Sequence, residues 1–148
     1  MREILFRGKS IVANTPSKPG YWMEGNLFHQ TRSPYGETVN CYHIFDGNEF
    51  IEGPDHETEL WPETIGQFTG LTDKNGKKIF EGDIVKTKYG RLCIVVWFLS
   101  QEYNGWDLEP IRTFENCVRT KPPESIDLYK KDNLEVIGNI HDNPELMR

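Results

Sequence analysis

The sequence predicts a mainly β fold: an N-terminal β meander or hairpin region over residues 1–64, then a small antiparallel barrel domain over 65–148, with little helix. Three observations carry that expectation. Aromatic residues make up 12% of the 148, and the apolar content leans on Trp, Phe and Tyr, bulky side chains that suit pleated surfaces. Apolar residues do not recur at helical spacing, apart from a short segment at 125–131. Between 66 and 140, short apolar runs alternate with Gly-containing turns, and five such strands fit a small barrel better than a sandwich. A chain of this length is enough for one ordinary domain or two small ones that share a core.

In order along the chain, Glu3-Ile-Leu-Phe-Arg7 reads as a first strand and Gly8-Lys-Ser as a turn, followed by a polar connection through Pro16, Pro19 and Gly20. Tyr21-Trp-Met-Glu-Gly-Asn-Leu-Phe28 reads as a second strand interrupted at Gly25, because glycine inside a strand usually marks a bulge or bend. Tyr42-His-Ile-Phe45 and Phe50-Ile51 are spaced as a hairpin around Asp46-Gly-Asn-Glu49, closed by Gly53 and Pro54. Residues 55–59 are acidic without apolar periodicity, and predict an exposed loop before Trp61 and Pro62.

Asn75-Gly76 predicts a tight type I′ turn at 73–77, since both central residues of that turn need positive φ. Glu81-Gly-Asp83 predicts the next turn, with Asp83 accepting from a backbone N–H two residues on as Ile84 and Val85 enter a strand. Leu92-Cys-Ile-Val-Val-Trp-Phe98 is apolar on both alternating faces and reads as a central strand covered on both sides. Gly105-Trp-Asp-Leu-Glu109 is its neighbour across a polar turn at 100–104, and Leu134-Glu-Val-Ile-Gly138 is the last strand. Asp142-Asn-Pro-Glu-Leu146 has the composition of a capped helix start.

The net charge of -6 is unevenly spread. From Ser33 to Asp73 there is no Lys or Arg, while Glu37, Asp46, Glu49, Glu52, Asp55, Glu57, Glu59, Glu63 and Asp73 all fall there. Then Lys74, Lys77, Lys78, Lys86, Lys88 and Arg91 follow against only Glu81 and Asp83. Such halves are electrostatically complementary, as two solvated faces, as pairing surfaces between subunits, or as an acidic face for a partner. Cys41, Cys93 and Cys117 form no C-x-x-C pair and no even set, so free thiols in a reducing compartment are expected. With no long apolar run and no apolar leader at Met1, the expected location is the cytoplasm, away from membranes.

Residues 65–86, with Gln67-Phe-Thr-Gly-Leu71, Asp73-Lys-Asn-Gly76 and Phe80-Glu-Gly-Asp-Ile-Val85, resemble the YopX family of phage and prophage proteins. Arg2-Glu-Ile-Leu-Phe-Arg7, Trp22-Met-Glu-Gly25 and Glu135-Val-Ile-Gly-Asn-Ile-His-Asp-Asn-Pro144 resemble it too, so the likeness reaches both ends of the chain; 30–60 and 114–131 do not carry it. The resemblance implies a mainly β protein of mobile elements with an SH3-like barrel in its C-terminal half, and no particular activity.

Candidate chemistries are few. Asp73, Asn75 and Gly76 begin like a calcium loop, but Lys77 and Ile84 stand where ligands belong, which excludes an EF-hand. Cys41 and His43 share a strand face and, with His56 or Asp55, are zinc ligands by type, yet lack the second close pair of a structural site. His141-Asp142 has the form of an oriented base, but no Ser or Cys lies in a nucleophile elbow to receive it. No Gly-rich run cradles phosphates. No catalytic residue, metal or cofactor is therefore expected, and the chain reads as a non-enzyme.

Three binding readings remain. Lys74, Lys77, Lys78, Lys86, Lys88 and Arg91 dock on the acidic region of another copy, giving a homo-oligomer; or they bind nucleic acid beside Phe80, Tyr89 and Trp97. In the third, Glu52, Asp55, Glu57 and Glu59 form an acidic mimic that occupies a host or phage protein acting on nucleic acid. The acidic total disfavours a polyanion, and self-association is the expectation.

Overall fold

The computed structural model describes residues 3–11, 22–45, 59–99, 101, 104–111, 124–125 and 134–148. The protein is mainly β: antiparallel strands β1 (Phe6–Lys9), β2 (Trp22–Arg32), β3 (Val39–Phe45), β4 (Gly66–Thr72), β5 (Lys78–Phe80), β6 (Asp83–Thr87), β7 (Leu92–Leu99), β8 (Asn104–Pro110), β9 (Glu124–Ser125) and β10 (Leu134–Asn139). Helix among the described residues is limited to 3-10 turns at Pro34–Gly36, Pro62–Thr64 and Pro144–Met147. The chain divides into two compact units, Met1–Gln67 and Phe68–Arg148, and β4 crosses the division.

In the first unit β1 pairs β2, β2 pairs β3, and β1 also pairs the start of β4 at Gln67 and Gly66. Gly8 and Lys9 are not a turn: they continue β1, opposite Met23 and Trp22, and Gly8 lies against the Leu60 side chain. Nor does Gly25 interrupt β2. A Cβ there would sit on the Phe45 carbonyl oxygen, so glycine is what lets β3 approach and β2 run on unbroken to Arg32.

The described partner of β3 is β2, in register from Asn26 opposite Phe45 to Arg32 opposite Val39, with Tyr35 in the left-handed region (φ 57) at the turn. The expected strand at Phe50-Ile51 lies outside the described residues, as do the connection through Pro16, Pro19 and Gly20 and the loop residues 55–58. Glu59 corrects the loop expectation, being half-buried and bridged to His43. Leu60 N–H donates to the Tyr42 carbonyl at 2.8 Å and Trp61 N–H to the Lys9 carbonyl at 2.9 Å, so this segment is stitched to strands on both sides.

In the second unit a sheet of order β10-β6-β7-β8-β9 stands with the β4–β5 hairpin. Its core is Ile79, Val85, Cys93, Val95, Trp106, Leu108 and Leu134, flanked by Leu71 and Val136. Each such fully buried aliphatic contributes about 1.5–3 kcal/mol relative to exposure. The two sheets do not close into a barrel, so the SH3-like detail is not reached: among the described residues β10 and β9 end the sheet, and β5 has a ladder only with β4. The hairpin is tied to β10 by single bonds at its turn instead, Lys74 N–H to the Leu134 carbonyl at 2.9 Å among them.

The strand covered on both faces is β6, where both Ile84 and Val85 are fully buried. In β7 only Cys93 and Val95 reach the core; Leu92, Ile94, Val96 and Phe98 are half-buried and Trp97 is exposed, correcting the double cover read from its apolar run. The turn at 73–77 forms, but Asn75 does not take positive φ; Gly76 alone does (φ 80), so the turn is not type I′. Asp73 is the reason: its Oδ1 accepts from the N–H of Asn75 (2.8 Å) and Lys77 (2.9 Å), which fixes the turn through a side chain. Asp83 bonds backward, its Oδ2 accepting from Phe80 N–H at 2.8 Å across the Glu81-Gly82 turn. The turn and helix proposed at 100–104 and 125–131 fall mainly outside the described residues; of these, Ser125 belongs to β9 and Asn104 opens β8. At the C-terminus a short 3-10 turn replaces the helix, and Asn143 does not cap it, because its Oδ1 accepts from Asn139 N–H at 3.3 Å.

Candidate functional site

The basic residues come together at one end of the second unit. Leu134, the first residue of β10, is opposite Thr87, the last of β6, and its carbonyl accepts from Lys74. The turn carrying Lys74 and Lys77 and the turn carrying Lys88 and Arg91 therefore flank the same point. Both turns are tied by hydrogen bonds: Thr87 N–H to the Arg91 carbonyl and Gly90 N–H to the Thr87 carbonyl, each 2.9 Å, and Asp73 N–H to the Lys77 carbonyl at 2.8 Å. Lys74, Lys77, Lys86, Lys88 and Arg91 are exposed; Lys78 is half-buried with its ammonium 5.5 Å from the Phe68 ring centre.

Asp73 anchors this end. Burial alone raises its pKa, but N–H donors from Val136, Lys77 and Asn75 and the charge of Lys77 outweigh burial, and the carboxyl is held below its ordinary value. Its Oδ2 accepts from Val136 N–H at 3.0 Å, joining turn to strand across the sequence. Beside it, Lys74 Nζ lies 3.0 Å from Glu135 Oε2, and Glu135 is also the register partner of Lys86 on β6. At this exposure such an ion pair contributes on the order of 0–1 kcal/mol. Neither Glu135 nor the Asp73–Val136 link was among the residues picked from sequence; alternation in β10 gives Glu135 a face but no signal names its partner.

The aromatics proposed to accompany these cations are dispersed. Phe80 is buried at 5.5 Å from Phe68, and Trp97 packs edge-on against Trp106, ring centres 4.8 Å apart. Tyr89 alone of the three stays exposed among the lysines, with Lys88 Nζ 4.9 Å from its ring centre.

Of the acidic candidates, Glu52, Asp55 and Glu57 lie outside the described residues. Glu59, in the first unit, has Arg32 at 3.9 Å. It also faces Cys41, whose thiol is raised by burial first, then by the charge and hydrogen bond of Glu59, with Arg32 opposing; that thiol stays protonated and is a poor nucleophile. Cys41 and His43 do share a buried face of β3, but the ring nitrogen Nε2 of His43 is 3.3 Å from the Gln30 amide. With the amide turned so that its oxygen accepts from both His43 and Arg32, the pair belongs to an internal hydrogen-bond network. His56 and Asp55 lie outside the described residues, and among those described no three His, Cys, Asp or Glu are grouped to hold a metal ion. Cys41 and Cys93 are buried and not joined in a disulfide.

His141 and Asp142 are built into a turn around Asn139, whose Oδ1 accepts from both of their N–H groups (3.0 and 2.9 Å) while its Nδ2 donates to Asp142 Oδ2 at 2.9 Å. What the molecule presents chemically is a fixed array of cations on tied turns. No helix among the described residues is long and apolar enough to cross a membrane.

Among solved structures the chain is similar to the crystal structure of protein EF1440 from Enterococcus faecalis, at 22% identity over 100% of both chains and a TM-score of 0.44. No curated protein matches it. The family model described as YopX protein matches residues 21–148, taking in both basic turns, Asp73 and Glu135, and leaving out residues 1–20, the opening strand among them. The chain belongs to the YopX family.

Proposed function

We propose that this chain is a non-enzymatic protein-interaction module that self-associates, its basic end receiving the acidic 33–73 region of a second copy. The observation that carries the reading is the convergence of Lys74, Lys77, Lys86, Lys88 and Arg91, all exposed, at one end of the second unit. Cations held on turns that are already ordered steer an acidic surface to its place with little further loss of conformational freedom. The complement is in the sequence itself, where 33–73 carries carboxylates and no Lys or Arg.

In this reading the protein is encoded by a phage or prophage, acts in the host cytoplasm, and uses its second unit as an open-edged relative of an SH3-like barrel whose turns carry recognition. Single-stranded nucleic acid is a poorer occupant of the basic end. Stacking needs aromatic platforms beside the cations, and only Tyr89 of the three candidates is placed there.

Size exclusion with light scattering at low and high salt tests the proposal. An oligomer at low salt that dissociates at high salt, and that is lost when Lys74, Lys86 and Arg91 are together changed to Glu, is the expected result. A monomer at every concentration and salt refutes it.

A further inference from the structure

We infer that Glu135 is a resident competitor at the basic end: its carboxylate holds the place that an acidic partner's carboxylate takes on docking, and so sets how acidic a partner must be. The inference rests on the interaction reading above and deepens it.

Glu135 stands between two of the cations, with Lys74 Nζ 3.0 Å from its Oε2 and Lys86 directly opposite on β6. Directly opposed residues of an antiparallel pair share a face, so all three side chains meet on one surface. That surface is open to water, with side-chain exposures of 45% for Lys74 and 37% for Glu135, so the pair exchanges readily with other ions. Nor is the carboxylate what holds Lys74 there. Lys74 N–H is bonded to the Leu134 carbonyl at 2.9 Å, and Asp73 Oδ2 receives Val136 N–H at 3.0 Å, so the backbone on either side of Glu135 positions the turn without its side chain.

A carboxylate in this position, unneeded for the turn, lowers the attraction of the site for every anion. A single carboxylate from a partner gains little by displacing it. A run of them, such as Asp46, Glu49, Glu52, Asp55 and Glu57, brings several at once and prevails. The basic end is thereby tuned to dense acidic segments and kept from adhering to ordinary surfaces.

The test compares the full chain with its Glu135→Gln variant on two probes: a peptide of residues 46–59, and immobilised poly-L-glutamate eluted with salt. The variant is expected to bind the peptide about 2- to 5-fold more tightly, as removal of one like charge at an exposed site predicts, and to elute at higher salt. Its melting temperature is expected to stay near that of the parent. Equal or weaker retention of the variant on poly-L-glutamate, with or without a fall in melting temperature, overturns the inference and leaves Glu135 a structural ion pair. Later elution of the variant together with no peptide binding and a monomeric protein sustains the competitor but sinks the self-association reading.

Discussion

The two units solve the same problem, holding short strands together, with different materials. The second has a contiguous apolar core, and its turns are closed by the carboxylates of Asp73 and Asp83. Among its described residues the first buries few apolar side chains, Cys41, Ile44 and Leu60, beside buried Arg7, Ser10, His43 and Thr64, and relies on stitching: Thr64 Oγ1 accepts from Lys9 N–H at 2.8 Å and donates to the Trp61 carbonyl at 2.7 Å. A core of apolar contacts is tolerant of small shifts, whereas a network of buried polar groups is stable only when every member is satisfied. That contrast explains why the recognition surface proposed above is on the second unit, where turns are fixed from within and their outer side chains are released for other work.

The contrast can be broken by substitution, starting where the effect is largest. Trp106→Ala, in the core of the second unit, is expected to lose about 3–5 kcal/mol in urea denaturation; a loss under about 1 kcal/mol would mean that core is not what holds the unit. Asp73→Ala leaves three N–H groups without their acceptor and is expected to lose about 3 kcal/mol.

The pH dependence of the same residue sharpens this. Its folded pKa is depressed, so its stabilisation is complete above the ordinary carboxylate value of 3.8 and is lost as pH falls below that value through the lowered folded one. Asp73→Asn should flatten that acid limb in a series of melts; an unchanged slope would assign the acid sensitivity elsewhere. In the first unit Gly25→Ala meets the Phe45 carbonyl and is expected to lose about 2 kcal/mol, visible as lost amide protection in β2 and β3. Smallest is Lys88→Ala, within about 0.5 kcal/mol in stability, with its effect confined to salt-dependent association.

Legibility from sequence follows the same division. In the second unit, Asn75-Gly76, Gly82 and the alternation of residues 134–138 mark turns and strands correctly because the determining chemistry is within a few residues of each position. Where a distant partner decides, sequence misleads: Gly8 reads as a turn until Leu60 and Met23 are placed beside it, and Gly25 reads as a break until Phe45 is. Asn75 looks like a positive-φ residue because an Asn-Gly pair favours a type I′ turn, whereas the Asp73 carboxylate two residues earlier holds this turn in another shape. The candidate site was legible as a list of lysines and an arginine. That two turns bring them to one place depends on Leu134 pairing with Thr87 and accepting from Lys74, which no local pattern encodes.

The turn at 73–77 also bears on how the molecule ages. In an exposed Asn-Gly step the glycine nitrogen attacks the asparagine amide carbon and expels ammonia to close a succinimide ring, which water then opens to aspartate or its iso form. Here that nitrogen, on Gly76, is engaged by the Asp73 carbonyl at 3.0 Å, which holds it back from Asn75 while the turn is intact. A chain whose turn loosens would begin to deamidate there, and each event would write a permanent negative charge among the lysines. The rate of that reaction is therefore a chemical clock for how long the basic end remains folded.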